Sequence, residues 1–307
     1  MSKPKVLVTS VDGWTGHKIT EHLISDLKGK LDKIYATAEA GAESAVPNPA
    51  ELEKAGVTLF KLDSSKKSGE MVNAFKNADI VVLIPPTKKD KIHRSKNMIE
   101  ACKEAGLKKI ILISMAAADL TDEQKQPHLA EFKKIELEAN QAGFDHLLIM
   151  RVNFYFENLL IYKKQILDGK LPLPIKDGKL APISIKDTAE AVGVLVSNPD
   201  KFKEYSGQLI TLTGSKAING QEIAEDISKC IKHELKFEDI SNEDAQKILT
   251  DFKNLDESEH HVLLEYYDLT KAHRAAFVTA HIFKNLVGHN PASLGEFCKI
   301  HEEHLKA

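Results

Sequence analysis

Six short apolar runs, each set off from the next by a longer polar or amphipathic stretch, leave a chain like this few folds to choose from. The runs are Val6 to Thr9, Lys33 to Thr37, Thr58 to Leu62, Ile80 to Ile84, Lys109 to Ile113 and His146 to Met150. Most are rich in β-branched residues and read as strands. Thr15 to Leu27, Gly69 to Asn77, Ile92 to Ala105 and His128 to Ala142 carry helical periodicity, the last two stopped by Gly106 and Gly143. Apolar strands separated by helices predict a parallel sheet covered on both faces, because a parallel connection must be long enough to carry the chain back. The expected fold class is α/β, a doubly wound parallel sheet.

The pattern changes after Arg151. Lys170 to Ile185 is rich in Pro and Gly, Asp187 to Val196 reads as helix and Gln208 to Thr213 as strand. The remainder reads mainly as helix, with one long helix over Glu257 to Phe283 and a final one over Ser293 to His304. The Ala-rich segment Ala36 to Ala50 is expected to be a loop. A chain of 307 residues can bury a large core without disulfides. Its three cysteines, Cys102, Cys230 and Cys298, are odd in number and in no metal-ligand spacing, so buried thiols in a reducing compartment are expected.

Charge excludes some partners. Lys and Arg number 42 against 45 Asp and Glu, a net charge of −3, and no basic tail or stripe is present, which argues against direct nucleic-acid binding. No stretch approaches the ~20 apolar residues that cross a bilayer, and the start of the chain is too short in apolar residues for a signal segment. A cytoplasmic protein is expected. The pair His301-x-x-His304 lacks a third ligand at suitable spacing, so no metal site is expected.

The first strand runs into Ser10-Val11-Asp12-Gly13-Trp14-Thr15-Gly16 and then into a helix. A glycine-bearing turn there lets backbone N–H groups and a helix N-terminus face a pyrophosphate. Ser10 stands where a tight-turn glycine would begin such a loop. Serine does not relax into a positive φ, so a weakened cofactor affinity is expected. Glu39, at the end of the second strand, is placed to accept hydrogen bonds from a ribose 2′-hydroxyl and to repel a 2′-phosphate, which favours NAD over NADP. Asp63 ends the third strand where the adenine would lie, and Pro85-Pro86 would run along the dinucleotide.

Several stretches together resemble the NmrA-like family of atypical short-chain dehydrogenases/reductases. They are the glycine loop, Ala101 to Ile110 leading to Ser114, His128 to Glu136, Arg151-Val152-Asn153-Phe154-Tyr155-Phe156-Glu157-Asn158, Pro182 to Ala189 and Leu286 to Phe297. The resemblance implies a Rossmann dinucleotide-binding domain over 1–152, and a segment 153–307 that completes the sheet and forms a smaller, mostly helical C-terminal lobe. It also implies a catalytic Tyr, a Lys four residues later and a fifth-strand Ser; the matching positions hold His128, Phe132 and Ser114. His128 and Ser114 are therefore the candidate catalytic residues. Lys133 is rotated ~100° off the required helix face. Asn158 would begin the next helix, as its cap or near the nicotinamide.

An eroded catalytic pair on a dinucleotide fold points to a regulator or redox sensor that presents its cofactor state to a protein partner. The alternative is an NAD(P)H-dependent oxidoreductase of a small carbonyl or quinone, since hydride transfer to a quinone needs little acid help. A third reading, suggested by Ser10, is a scaffold that has lost the cofactor.

Overall fold

The computed structural model describes residues 3–41, 47–252 and 256–306. The chain forms two compact units, and it passes from one to the other several times. The first comprises Met1–Met115, Glu131–Arg151 and Thr188–Ile210. The second comprises Ala116–Ala130, Val152–Asp187 and Thr211–Ala307. One crossing falls between Arg151 and Val152, another between Asp187 and Thr188 and a third between Ile210 and Thr211.

All six expected strands form: β1 (Lys5–Val8), β2 (Lys33–Glu39), β3 (Thr58–Leu62), β4 (Ile80–Leu83), β5 (Lys109–Met115) and β6 (His146–Val152). Two short strands, β7 (Lys170–Leu173) and β8 (Lys179–Leu180), precede β9 (Leu209–Leu212), which joins the same sheet. The order is β3-β2-β1-β4-β5-β6-β9. β1 pairs parallel with β2 and β4, β2 with β3, and β4 with β5. The order reverses at β1, which leaves a crevice at its carboxyl end where open α/β sheets take ligands.

The helices of this unit are α1 (Trp14–Ser25), α2 (Pro49–Lys54), α3 (Gly69–Phe75), α4 (Lys91–Glu104) and most of α5 (Pro127–Gln141). α2 lies inside the stretch that bordered the expected Ala-rich loop. Asn48 caps it through the Ala50 N–H and Pro49 starts it with its φ already set. β2 meanwhile continues to Glu39, and residues 42–46 of that loop lie outside the described residues. Leu7, Val81 and Leu112 of the strands meet Phe75, Met98, Cys102 and Ile135 of the helices in one apolar core. Each such side chain, fully buried, stabilises by about 1.5–3 kcal/mol.

α6 (Lys163–Leu167), α7 (Ile185–Ser197) and α8 (Pro199–Tyr205) follow. In the second unit, β7 pairs parallel with β11 (Lys236–Asp239) and β8 antiparallel with β10 (Ile218–Asn219), two small sheets the sequence did not announce. The rest is helical: α9 (Gly220–Ile231), α10 (Asn242–Asp251), α11 (Glu257–Lys271), α12 (Ala280–Val287), α13 (Leu294–Ile300) and α14 (Glu302–Lys306).

The single helix expected over Glu257 to Phe283 is two. α11 ends because His273 takes φ 55°, so that its N–H reaches Thr270 O at 2.9 Å and the Arg274 N–H reaches Leu269 O at 2.8 Å. This closure normally uses glycine. A histidine there leaves no mark in the sequence pattern. The final helix likewise divides at His301 into α13 and α14. Cys102 and Cys298 are buried and Cys230 half-buried, all free. Burial pushes the thiols of Cys102 and Cys298 up, away from reactivity. No helix among the described residues is long and apolar enough to cross a membrane.

Candidate functional site

The loop between β1 and α1 is held in a conformation that the sequence argued against. Ser10 has φ 54°, a region that costs a non-glycine residue about 1–2 kcal/mol. Hydrogen bonds hold it there. Ser10 Oγ donates to Ile84 O at 2.9 Å, Thr9 Oγ1 donates to the same carbonyl at 3.1 Å, and the Ile84 N–H donates to Thr9 Oγ1 at 2.8 Å. The loop is thereby tied to the end of β4. Gly16 is obligatory, because a Cβ there would stand 2.5 Å from Ser10 O and 2.8 Å from Thr9 O, both backbone atoms.

Gly13 precedes α1 and offers no side chain to cap it, and the first turn, Trp14-Thr15-Gly16, holds no acid. The leading N–H groups and the positive end of the helix dipole are left for an anion. Trp14 stands at this mouth, 40% exposed.

Beside the loop lies a small, shallow cleft lined by Ser10, Asp12, Thr37, Ala38, Glu39, Leu62 and Ser64 over Met71, Phe75 and Met98. Glu39, expected as a ribose acceptor, already has partners. Its carboxylate accepts from the Ser64 hydroxyl and, at 3.1 Å, from Arg94 Nη1. Arg94 also donates to Ser64 Oγ at 3.0 Å and to Asp90 at 2.5 Å. Arg94 and Ser64 were invisible as site residues: Arg94 reads as one more charge on an amphipathic helix, and only the Asp90 spacing hinted at its ion pair.

Asp63, expected at the adenine, spends its carboxylate on its own loop. It accepts from Ser65 Oγ at 2.6 Å and Ser65 N at 3.0 Å, which hold it below the usual carboxylate range, and Lys66 lies 3.5 Å away. Ser64 lines the cleft in its place. Asp12 is the contrary case. Its Oδ1 is buried with no hydrogen-bond partner, and burial pushes its pKa up, against the backbone N–H groups of Asp12 and Glu39 and the charge of Lys88. An orphaned acceptor in a cleft fits a ligand that brings hydroxyl donors.

The candidate catalytic residues are placed differently from expectation. Ser114, 4% exposed, donates to Glu136 Oε1 at 2.6 Å. Arg151 grips the same carboxylate through Nε at 2.8 Å and Nη2 at 2.7 Å. The Ser114 hydroxyl is therefore part of a buried ion pair that ties α5 to β6, and Arg151, a mark of the family resemblance, has a structural reason to be there. The His128 ring stacks on His261, centroids 4.6 Å apart. The N–H groups of His128 and Leu129 donate to Glu265 at 3.1 and 2.7 Å, so α5 is capped by a carboxylate from α11. Phe132 lies one turn further and Lys133 is exposed.

Asn158 does not start a helix. It sits inside the 3₁₀ turn Phe156–Tyr162, which begins after Tyr155. Pro85 and Pro86 are buried in the loop after β4. Among the described residues, no group of three or more His, Cys, Asp or Glu is arranged to hold a metal ion.

Residues 2–285 match the NmrA-like family. Among curated proteins, the chain is 28% identical over 203 residues to prestalk A differentiation protein A of Dictyostelium discoideum, covering 66% of this chain and 62% of that protein. The match thus spans less than two thirds of that relative. An NAD(P)H azoreductase of Xenophilus azovorans is 25% identical over 230 residues, covering 74% of this chain and 77% of its own. Among solved structures, the NADPH-dependent quinone oxidoreductase of Escherichia coli, complexed with NADPH, superposes with TM-score 0.79 at 21% identity, over 95% of this chain and 98% of that one. NmrA, a negative transcriptional regulator in complex with NAD, gives TM-score 0.74 at 16% identity, over 99% and 98%. At these identities the structural likeness establishes the fold.

Proposed function

The chain belongs to the NmrA-like family, and from that premise we propose that it binds a nicotinamide dinucleotide at the carboxyl edge of its sheet and serves chiefly as a dinucleotide-responsive regulator. The observation that carries this reading is the uncapped N-terminus of α1, approached over Gly16, beside a cleft with an orphaned carboxylate oxygen. The pyrophosphate rests on the loop at Gly13, Trp14, Thr15 and Gly16. The adenosine half enters the cleft, where Asp12 Oδ1 accepts from its ribose. NAD is the preferred form, because Arg94 is already engaged by Glu39 and Asp90. The cofactor, when bound, would supply hydride chemistry.

Turnover of ordinary carbonyls is expected to be slow. The Ser114 proton is committed to Glu136, and Phe132 stands where an ammonium would tune a proton donor. A sensor needs binding without turnover, and its output passes to a protein partner. The second reading, reduction of a quinone-like acceptor, is favoured by the relative named NAD(P)H azoreductase, since such acceptors need little acid help. The free cysteines suit a reducing cytoplasm.

Titration of NAD, NADH, NADP and NADPH tests the binding, read by Trp14 fluorescence and by melting temperature. A ligand at 100 times its dissociation constant stabilises by about 2.7 kcal/mol. Silence from all four forms would leave only a scaffold. Steady-state turnover near ~10 s⁻¹, an ordinary enzyme value, that collapses in His128→Ala would replace regulator with reductase.

Asp12→Asn separates stability from binding. A carboxyl whose pKa is raised on folding contributes stability while protonated and loses it as pH rises through the folded value. Asp12→Asn should therefore raise the melting temperature of the ligand-free protein at neutral pH, and the gain should fade as pH is lowered through that carboxyl's pKa. Its NADH affinity should fall about tenfold, the size of one hydrogen bond to a charged group. A variant with unchanged affinity would remove Asp12 from the ribose contact.

A further inference from the structure

Two of the three cysteines meet. α9 buries a stripe of Ile223, Ala224, Ile227 and Ile231, and it packs on α13, whose buried face is Leu294, Phe297 and Cys298. Cys230 borders the α9 stripe, half-buried, while Cys298 is fully buried. The two thiols stand within hydrogen-bonding reach of each other, and the carboxylate of Asp226, one turn before Cys230, lies near enough to act on Cys298 as well. Both helices belong to the second unit, so the contact is made within one packed body. Burial first, then the neighbouring sulfur and carboxylate, push the Cys298 thiol up. That leaves the half-buried Cys230 as the sulfur an oxidant meets. Cys102, by contrast, lies in the apolar core of the first unit.

α13 has seven residues, too few for a helix to hold on its own, so its place depends on its contacts. The Phe297 ring stacks on Phe156 with centroids 5.3 Å apart, and the Ala292 N–H just before the helix donates to the Asp187 carboxylate at 3.2 Å. A bond from Cys298 to the longer, capped α9 would make that place covalent. We propose that Cys230 and Cys298 are a reversible redox pair, oxidised by a peroxide to a disulfide that fixes α13 to α9. The Cys230 sulfur attacks one peroxide oxygen, the O–O bond breaks, and the other oxygen leaves as water with the thiol proton; Cys230 becomes a sulfenic acid. The Cys298 sulfur then attacks the Cys230 sulfur, the S–O bond breaks, and the oxygen leaves as a second water carrying the Cys298 proton. Two thiols have lost two electrons to one peroxide. Two molecules of a small thiol reverse the change by exchange, through a mixed disulfide, and leave as their own disulfide. The pair works whether or not the crevice holds a dinucleotide.

The test is made on the full chain, reduced, freed of reductant, treated with a few equivalents of hydrogen peroxide, then denatured and alkylated. The reduced chain should take three alkyl groups, one for each cysteine, and the oxidised chain one, on Cys102. Digestion of the oxidised chain should give the Cys230 and Cys298 peptides joined, and dithiothreitol should part them. Cys298→Ala should stop Cys230 at the sulfenic acid, trapped by dimedone, and Cys230→Ala should leave Cys298 reduced at the same dose. Hydrogen exchange reads the clamp: amides of α13 should exchange at least about tenfold more slowly in the oxidised protein, because a cross-link opposes local opening, with the first unit unchanged. Three alkyl groups on the oxidised chain, or a disulfide that uses Cys102 or joins two chains, overturns the pair. Unchanged exchange of α13 in a chain that carries the disulfide overturns the clamp. The peptide mapping uses the unaltered protein, so it decides the matter even if a variant at the buried Cys298 fails to fold.

Discussion

Glu39→Ala is expected to turn a preference for NADH into one for NADPH, changing the ratio of their dissociation constants about a hundredfold. In the unaltered protein a 2′-phosphate would meet the Glu39 carboxylate and find Arg94 held by Glu39 at 3.1 Å and by Asp90 at 2.5 Å. Both side chains are largely shielded, at 15% and 17% exposure, so solvent screens the charges less than at the surface. Removing Glu39 takes away a like charge and releases one face of Arg94, the residue type suited to a phosphate. A single hydrogen bond to a charged group contributes about 1.5–3 kcal/mol, and each 1.4 kcal/mol is tenfold in affinity. A gained phosphate contact and a lost repulsion together account for about two powers of ten. Arg94→Met in the Glu39→Ala background should abolish the gain for NADPH while sparing NADH. Paired titrations decide it: NADPH binding more tightly than NADH to the unaltered protein, with no response to Glu39→Ala, would refute the assignment of Glu39 and Arg94 as the cofactor-selecting pair.

Arg151→Met should be the most destabilising of the substitutions considered. Arg151 is 7% exposed and Glu136 5%, and the two share a two-point contact to which Ser114 adds a third hydrogen bond. Removing one partner of a buried pair strands the other's charge, at a cost of about 3–5 kcal/mol. For a unit of this size each kcal/mol shifts the melting temperature by roughly 2–4 °C, so a fall of about 10 °C is expected. Arg151→Met/Glu136→Met removes both charges and should recover most of that fall, since apolar replacements of similar volume often match a buried ion pair. A single variant that melts within about 2 °C of the unaltered protein would show the pair to be no stronger than a surface one.

Residues 1–151 were legible strand by strand because their signals are local. A run such as Ile80 to Leu83, buried at every position, declares a covered strand whatever it packs against. The stops at Gly106 and Gly143 both have positive φ, where glycine is the natural residue. The break after α11 was illegible for the complementary reason: His273 takes the same left-handed conformation without being glycine, and hydrogen bonds to Thr270 and Leu269 hold it there. Ser10 repeats the lesson. Its identity argued against φ 54°, and the end of β4, distant in sequence, holds it there.

What the sequence by itself determined is the six strands β1 to β6 and their alternation with helices, because periodicity and turn residues act over a few positions and one strand's burial pattern does not depend on its neighbour's identity. It also placed the glycine loop, since Gly16 must pass against the carbonyls of Thr9 and Ser10, which are close in the chain as well as in space. Only the tertiary structure decided which charges meet. Glu39 and Arg94 are 55 positions apart, and Glu265 caps α5 from 137 positions beyond His128. Ser114 finds Glu136, 22 positions away, only because the fold brings α5 against the sheet. A carboxylate's role is set by the donors within about 3 Å of it, and in a chain of this length those donors are chosen by the packing of whole helices on a sheet, which no local pattern records.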